Sequence, residues 1–179
     1  MRKRTFAAFG AAALAVGLIH VGSLSATPQS GFSATTIAAG RFGPIDVENH
    51  SFLPDDSPFT THPGSNLWLS MQKTKGASDM WVQSNVIAPG GTSGWYSHPG
   101  HSLIIVTAGT ITAYEGDDPA CTPHQYMSGN GFVDEGGDHV HILRNETIVE
   151  ARTVAVQLIP AGFTRRIDAE APPACASIQ

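Results

Sequence analysis

Charged residues are scarce in this sequence: they make up 14% of its 179 residues, whereas hydrophobic residues make up 41%. A chain with that balance can bury a core, which disfavours an extended disordered protein. The length suits one domain of ordinary size rather than two. No segment shows a long helical repeat of apolar positions, and no repeat of fixed period is present. The sequence therefore favours strands over helices.

Basic residues are few, and three of the ten stand at the N-terminus as Arg2, Lys3 and Arg4. The chain after residue 26 has seven basic residues against fifteen acidic ones, a net charge of −8. Nucleic acids and anionic membrane surfaces carry negative charge, so neither is expected as a partner.

Long apolar runs are also lacking, with one exception at the N-terminus. The run from Phe6 to Ile19 carries no charge, follows the three basic residues and precedes the small residues Ser23, Ser25 and Ala26. That order is typical of a secretory signal peptide, which we predict at residues 1–26. The alternative is an uncleaved membrane anchor, for which the run is short. We therefore expect a protein that is secreted or held in the cell envelope, with no other membrane contact.

Cysteine is rare, with Cys121 and Cys175 as the only two in the sequence. An even number of cysteines in an exported chain favours a disulfide between them. Two free thiols are the alternative. Neither cysteine lies in a CxxC motif or next to a histidine, so neither indicates a metal or redox centre.

Glycine and proline are plentiful, at 19 and 12 residues, and they are spread along the chain like turns between short strands. Leu67, Leu69 and Met71 alternate with Trp68 and polar neighbours, which is the periodicity of a strand. Many short strands separated by turns are typical of a sandwich or barrel. We predict an all-β chain with four parts: a signal peptide at 1–26, an irregular arm at 27–64, a β-barrel at 65–165 and a C-terminal tail at 166–179.

Familiar catalytic motifs are missing, because the sequence has no nucleophile elbow, phosphate-binding loop or dinucleotide fingerprint. Its chemistry is concentrated in histidines, six of which lie between His62 and His141. Residues two apart in a strand share a face, so His98 shares one with Tyr96, and His141 shares one with His139. Imidazoles that two strands direct into a barrel can bind a metal ion.

Two stretches of this sequence resemble the two motifs of the cupin superfamily. The stretch from Gly90 to Gly109, which contains Ser97-His98-Pro99-Gly100-His101, resembles the first motif. The stretch from Gly131 to Asn145 resembles the second. The resemblance covers roughly residues 65–165 and is strongest to small secreted bacterial cupins. It implies a single cupin-type β-barrel, also called a double-stranded β-helix or jelly roll, with a divalent metal ion at its centre.

The sequence departs from the cupin pattern at two of the four usual metal ligands. The first histidine of the family falls on Tyr96 and the glutamate falls on Ser102, so only His98 and His141 remain in place. Two imidazoles alone are a poor site for a divalent ion. Three nearby residues could supply a further ligand: His101 if the chain bulges at Pro99-Gly100, His139, and Tyr96 as a phenolate.

Two functional interpretations follow from the resemblance. The first is a metal-dependent enzyme with Fe, Mn, Ni, Cu or Zn, for which the resemblance implies dioxygenase or isomerase chemistry on a small molecule. The second is a non-catalytic exported protein, ligand-binding or structural, that has lost its metal and whose histidines hydrogen-bond one another, Ser102 or Tyr96. Ser102 and Asn145 are the residues we assign to the ligand pocket. A homodimer is a further expectation, because the resembled family often pairs through sheet edges.

Several other residues are interpreted as structural. We expect Trp68, Trp81 and Trp95 in the core or pocket wall, and Arg165 and Arg166 on the surface. Asp134, with Glu135 and Asp138, could bind a cation, but its place in a loop favours an exposed turn.

Overall fold

A computed structural model describes residues 26–54, 57 and 66–179. The predicted signal peptide, apart from Ala26, lies outside the described residues, as do residues 55–56 and 58–65 of the predicted arm. The described chain is built from strands, with one short 3-10 turn at Pro173–Cys175. The strands are β1 Ser30–Phe42, β2 Asp46–Phe52, β3 Leu67–Lys73, β4 Ser78–Thr92, β5 Tyr96–Ser97, β6 Ser102–Ala108, β7 Thr110–Glu115, β8 His124–Met127, β9 Gly131–Asp134, β10 His141–Arg144, β11 Ala151–Pro160 and β12 Ile167–Asp168.

Ten of these strands form one antiparallel sheet that curls into a nearly closed barrel. Its main path runs in the order β12-β5-β10-β4-β11-β6-β9, while β1 also pairs with β4 and β7 pairs with both β10 and β8. The 15-residue strand β4 is flanked by β1 on one edge and by β11 on the other. The all-β barrel predicted from the sequence is confirmed by this topology.

Burial alternates along the barrel strands, as expected for a sheet with one face turned inward. On β6, Ser102, Ile104 and Val106 are buried, whereas Leu103 and Ile105 are exposed. The inward-facing residues change in character from one end of the barrel to the other. One end is apolar and the other is polar.

The apolar end of the interior is a hydrophobic core. Its buried members are Ile87, Val106, Ile111, Ala113, Leu143 and Ala151, against which Phe32, Tyr126 and Phe132 pack. Full burial of one such branched aliphatic side chain stabilises the fold by roughly 1.5–3 kcal/mol. This end of the interior therefore supplies much of the hydrophobic stabilisation of the barrel.

A second buried cluster lies on the outer face of the barrel, beneath the C-terminal tail. It contains Trp95, Tyr114, Ile142 and Cys175. The indole N–H of Trp95 donates a hydrogen bond of 2.8 Å to the carbonyl of Ile178. The predicted disulfide between Cys121 and Cys175 is confirmed. The tail is thus fixed to the barrel at several points, and its strand β12 pairs with β5.

The prediction of an irregular arm is wrong for the described part of residues 27–64. β1 pairs with β4 from Ser30 opposite Thr92 to Phe42 opposite Ser78. Most of β1 is exposed, because the strand lies at an edge and covers little of the core. Its sequence therefore needs no alternation of apolar and polar residues, which is the signal that the strand prediction relied on.

Strands β2 and β3 form a separate hairpin that pairs with no other described strand. Trp68 lies on this hairpin and is 50% exposed, so its expected place in the core or pocket wall is wrong. Trp95, by contrast, is fully buried, and Trp81 is half-buried. Within residues 26–54, 57 and 66–179, no helix has the length and apolar character needed to span a membrane.

Candidate metal centre

His98 lies just after β5, where the chain turns through Pro99 and Gly100 toward β6. Its imidazole is 1% exposed, and Nδ1 makes a short hydrogen bond with the carbonyl oxygen of Gly100. Because a carbonyl oxygen only accepts hydrogen bonds, Nδ1 carries the proton and donates it. The other nitrogen, Nε2, faces the neighbouring side chains in the barrel interior.

Asp134 and His141 reach His98 from two different strand ends. Asp134 is the last residue of β9, and the pairing of β9 with β6 places it opposite Ser102. His141 is the first residue of β10 and lies opposite Tyr96 of β5. The two residues are 6% and 2% exposed. The expectation that Asp134 lies in an exposed turn is therefore wrong, because β9 extends far enough to bury it.

One atom from each of these three residues meets the others inside the barrel. The Oδ2 atom of Asp134 lies 2.5 Å from Nε2 of His98 and 2.7 Å from Nε2 of His141. All three atoms lie within 4.8 Å of one another. In the described part of the chain, this is the one group of three or more His, Cys, Asp or Glu residues arranged to hold a metal ion.

These three atoms are poorly matched unless a positive charge lies among them. With the proton on Nδ1, the Nε2 atom of a neutral His98 bears a lone pair, and a carboxylate oxygen bears only lone pairs. The Nε2 atom of His141 is buried and makes no hydrogen bond of acceptable geometry with any described residue, although Oδ2 of Asp134 is close. Converging lone pairs repel in a buried site. The cluster therefore requires either extra protons on the imidazoles or a bound cation.

The carboxyl group of Asp134 is held in its charged form. Burial alone would raise its pKa, but the contacts with His141 and His98 outweigh burial and hold the pKa well below its usual range. Asp134 is therefore a carboxylate at neutral pH. That is the form in which aspartate binds a metal ion.

Tyr96 contacts this cluster through its ring. The ring centroid lies 4.2 Å from that of His141 and 6.0 Å from that of His98, and Cζ of Arg166 lies 4.0 Å from the Tyr96 centroid on the ring face. Burial, with a contribution from the charge of Asp134, raises the pKa of the Tyr96 phenol far above its usual value. A neutral phenol that packs against His141 is the role this environment favours, rather than the predicted phenolate ligand.

The two other histidines predicted as replacement ligands lie elsewhere. His101 borders a separate cavity between the ends of β3 and β11, because the turn after His98 does not direct it inward. The Nε2 atom of His139 lies 2.9 Å from Oδ1 of Asp117, and its Nδ1 lies 3.5 Å from Oε2 of Glu115. His139 precedes β10 and is not part of the strand, so the two-residue spacing does not place it on the face of His141.

The two predicted pocket residues have different surroundings. Ser102 lines the cavity beside His98, with Oγ 3.3 Å from the Nε2 atom of that histidine. Asn145 is fully buried, and its Nδ2 donates to two backbone carbonyls at 3.0 and 2.7 Å. Its Oδ1 accepts from both the N–H and the hydroxyl of Thr147. The Asn145 amide is occupied in holding the loop after β10 and does not line the cavity.

A cavity of about 220 Å³ opens beside His98 at the polar end of the barrel. Its polar lining consists of Gln29, Gln83, Asn85, Tyr96, His98, Ser102, Gln157, Arg165 and Arg166. The volume corresponds to roughly seven waters, which is enough for a small ligand. The two arginines were expected on the surface, but the pairing of β12 with β5 brings the residues before β12 next to Tyr96.

The donor set of the cluster suits a divalent metal ion. Two histidines and one carboxylate form a ligand set that is typical of non-haem Fe(II) centres, and the same atoms also bind other divalent ions. Ligand atoms around one such ion stand about 3.0–3.4 Å apart, so the imidazoles would separate from Asp134 by about 0.5 Å on binding. Within the described residues, neither ring nitrogen of the buried His141 makes a hydrogen bond, and Nε2 is the one that lies beside Asp134.

Asp134 is the member of the cluster that the sequence interpretation left out of the site. It lies in an acidic, glycine-containing stretch that resembles a surface loop. The signal that points to it is the pair Phe132-Val133 directly before it, which marks a strand whose last residue can face inward. The glutamate of the cupin pattern falls on Ser102 in this sequence, so a carboxylate ligand was missing from the predicted site.

The fold and the cluster together define an all-β barrel with a buried His-Asp-His group beside a polar cavity. No family model and no curated protein matches the chain. Solved structures do match it. One is an uncharacterized conserved protein with a double-stranded β-helix domain from Klebsiella pneumoniae, with 20% identity, coverage of 51% of this chain and 70% of that chain, and a TM-score of 0.43.

Two further solved structures show similar levels of likeness. An RmlC-like cupin family protein from Methanocaldococcus jannaschii has 17% identity, covers 44% of this chain and 68% of that chain, and has a TM-score of 0.40. An oxalate oxidase has 20% identity, covers 46% of each chain and has a TM-score of 0.39. The matched structures are thus cupin and double-stranded β-helix proteins. Likeness at this level says nothing about what the present chain binds or catalyses.

Proposed function

We propose that this protein binds one divalent metal ion in its barrel through His98, Asp134 and His141, with a small molecule in the adjoining cavity. The observation that carries the proposal is the convergence of Oδ2 of Asp134 and two histidine Nε2 atoms in a buried site. One of those nitrogen atoms, Nε2 of His141, has no hydrogen bond in the part of the chain that the structure describes. A single cation would satisfy all three atoms at once.

The ligand set favours Fe(II), with Mn, Ni, Cu and Zn as the other ions to test. A divalent ion supplies Lewis acidity toward an oxygen atom of a bound substrate. The charge of Asp134 offsets part of the charge of the ion, and the carbonyl of Gly100 fixes the tautomer of His98. The ring of Tyr96 packs against His141 and holds its orientation. Dioxygenase or isomerase chemistry on a small molecule is the enzymatic form of this proposal.

A second candidate function is metal-free binding of a small molecule without turnover. The distance of 2.5 Å between Nε2 of His98 and Oδ2 of Asp134 supports it, because it is typical of a charge-assisted hydrogen bond and shorter than the spacing of ligands around one ion. In this form, protons on His98 and His141 would supply the positive charge that Asp134 needs.

Metal analysis of the mature protein, made without an affinity tag, separates the two candidates. After reconstitution with each of Fe, Mn, Ni, Cu and Zn, we expect one ion per chain. The double substitution His98→Ala/His141→Ala and the single substitution Asp134→Asn should each abolish or strongly weaken binding. His124→Ala, which changes an exposed histidine on β8, is the control and should leave the metal content unchanged.

Two outcomes would contradict the metal proposal. If none of the five ions binds, the metal-free candidate remains. If the double variant keeps its ion at full occupancy, the metal centre lies elsewhere in the chain.

We infer that the protein works outside the cytoplasm. The disulfide between Cys121 and Cys175 supports an oxidising compartment, and the predicted signal peptide at residues 1–26 supports secretion or retention in the cell envelope. A homodimer stays a prediction, which analytical ultracentrifugation of the mature protein would test.

A further inference from the structure

The polar cavity beside His98 is lined by a cation, Arg165, for which the described residues supply no counter-ion. Arg165 lines this cavity and is half-buried. Within the described residues, its guanidinium makes no hydrogen bond and no ion pair. Burial lowers its pKa and repulsion from Arg166 lowers it further, while Tyr96 acts in the opposite direction. A half-buried charge without a partner is unfavourable, and an anion in the cavity would relieve it.

The neighbouring Arg166 differs because two of its guanidinium nitrogens already donate to the protein. Its Nε donates to Oδ1 of Asp168 at 2.6 Å, and its terminal nitrogen donates to the carbonyl of Ser93 at 2.7 Å. Its guanidinium also lies over the ring of Tyr96. Arg166 is therefore held in place by the protein, and Arg165 is the arginine that can bind a ligand.

Gln157 lines the same cavity and has an oxygen atom for which no described residue is a hydrogen-bond partner. It is 4% exposed, and its Oε1 is buried without a hydrogen bond. The amides of Gln83 and Asn85 differ, because they donate to the hydroxyls of Thr36 at 2.6 Å and Thr153 at 3.0 Å. By rotating, the Gln157 amide can offer an N–H donor to the cavity. Among the described residues, Arg165 and Gln157 thus both present polar groups without a partner to this cavity.

We propose that the cavity binds a small monocarboxylate anion, whose carboxylate group is held by the guanidinium of Arg165 and the amide of Gln157. The planar guanidinium matches the two oxygens of a carboxylate. The unpaired guanidinium of Arg165 supplies one positive charge, which matches the single negative charge of a monocarboxylate. A cavity of about 220 Å³ restricts the anion to a few non-hydrogen atoms. This inference rests on the proposed function, since it names the class of small molecule that occupies the cavity beside His98.

Isothermal titration calorimetry with propionate and propionamide tests this inference on the mature full-length protein, with and without added metal. The two probes have the same shape and differ in charge. We expect propionate to bind and propionamide to bind at least about tenfold more weakly. Arg165→Gln should remove this preference while leaving the metal content unchanged. Gln157→Met, which keeps the size of the side chain, should weaken propionate binding in a protein that folds normally.

The matched control is Arg152→Gln, which changes an exposed arginine whose partner is Glu150. It should keep the full preference for propionate. Equal binding of the two probes, or an unchanged preference in Arg165→Gln, would overturn the inference. Tighter binding of phosphate than of propionate would overturn the monocarboxylate class.

The same measurements keep this inference and the proposed metal site apart. Propionate binding that depends on Arg165, in a protein that takes up no metal, supports the inference and contradicts the metal site. A protein that binds one metal ion but not propionate supports the metal site and contradicts the inference.

Discussion

Gly136 lies where the two loops of the candidate metal centre touch, and its replacement by alanine gives a sharp test of the site. A Cβ at residue 136 would overlap the carbonyl oxygen of Gly100, which is the acceptor of the His98 Nδ1 hydrogen bond. The backbone φ of Gly136 is +71°, in the left-handed region. Its neighbour Gly137 has a φ of +70°, but nothing lies within 4 Å of a Cβ built there. The two positions share the conformational strain and differ in the steric contact.

The expected magnitudes follow from that difference. Alanine in the left-handed region costs about 1–2 kcal/mol at either position. At residue 136 the contact with Gly100 should add roughly 1–3 kcal/mol, as is typical of overpacking. We therefore expect Gly136→Ala to lower the free energy of unfolding by about 2–5 kcal/mol and Gly137→Ala by about 1–2 kcal/mol. Because displacement of Gly100 frees the imidazole of His98, Gly136→Ala should also weaken metal binding by about 10–100-fold.

Urea unfolding of both variants and the unsubstituted protein measures the first effect, and metal titration against a competing chelator measures the second. Gly137→Ala serves as the control for backbone strain and should retain its metal affinity. If both variants lose the same stability, or if Gly136→Ala binds metal normally, then the contact between the two loops does not position His98 as described.

Two further predictions concern stability. Replacing Cys121 and Cys175 together by serine opens a loop whose ends are 54 residues apart, which should lower the free energy of unfolding by about 4 kcal/mol in the chain-entropy treatment; an unchanged urea midpoint would contradict this. The hydrogen bonds from the side chain of Arg41 and the backbone of Gly162 lower the pKa of Asp79 from 3.8 to about 2. Their stabilising effect is therefore complete above pH 3.8 and is lost as the pH falls through about 2. The substitution Asp79→Asn should flatten the acid side of the plot of unfolding free energy against pH. An acid side identical to that of the unsubstituted protein would show that this ion pair is not coupled to folding.

The central barrel strands were accessible to sequence reasoning because their two faces meet different surroundings. A period of two marks such strands in many proteins, whereas β6 is marked by a run rich in β-branched residues between Gly100 and Gly109. β1 was not accessible, because an edge strand that covers little core carries no such period. Its partner, β4, is identified by hydrogen-bond pairing rather than by any pattern in the residues themselves.

The site was only half accessible for a related reason. His98 and His141 could be chosen as ligands because histidine is a common ligand type and the spacing suits strands. Asp134 was not chosen, because its burial depends on the register that sets it opposite Ser102, and register is a property of two strands rather than of one. Arg165 was missed similarly, since only the pairing of β12 with β5 brings it to the cavity.

The division of the barrel interior into an apolar end and a polar end has a consequence for how such a protein can diversify. The apolar end, around Ile87, Val106 and Ile111, supplies much of the hydrophobic stabilisation. At the polar end, Gln83, Asn85 and Gln157 contribute mainly to the shape and polarity of the cavity. Changes at the polar positions can therefore alter which guest is accommodated without dismantling the architecture. Substitutions at those three amides, by evolution or by design, could change which ligand binds while the apolar core stays the same.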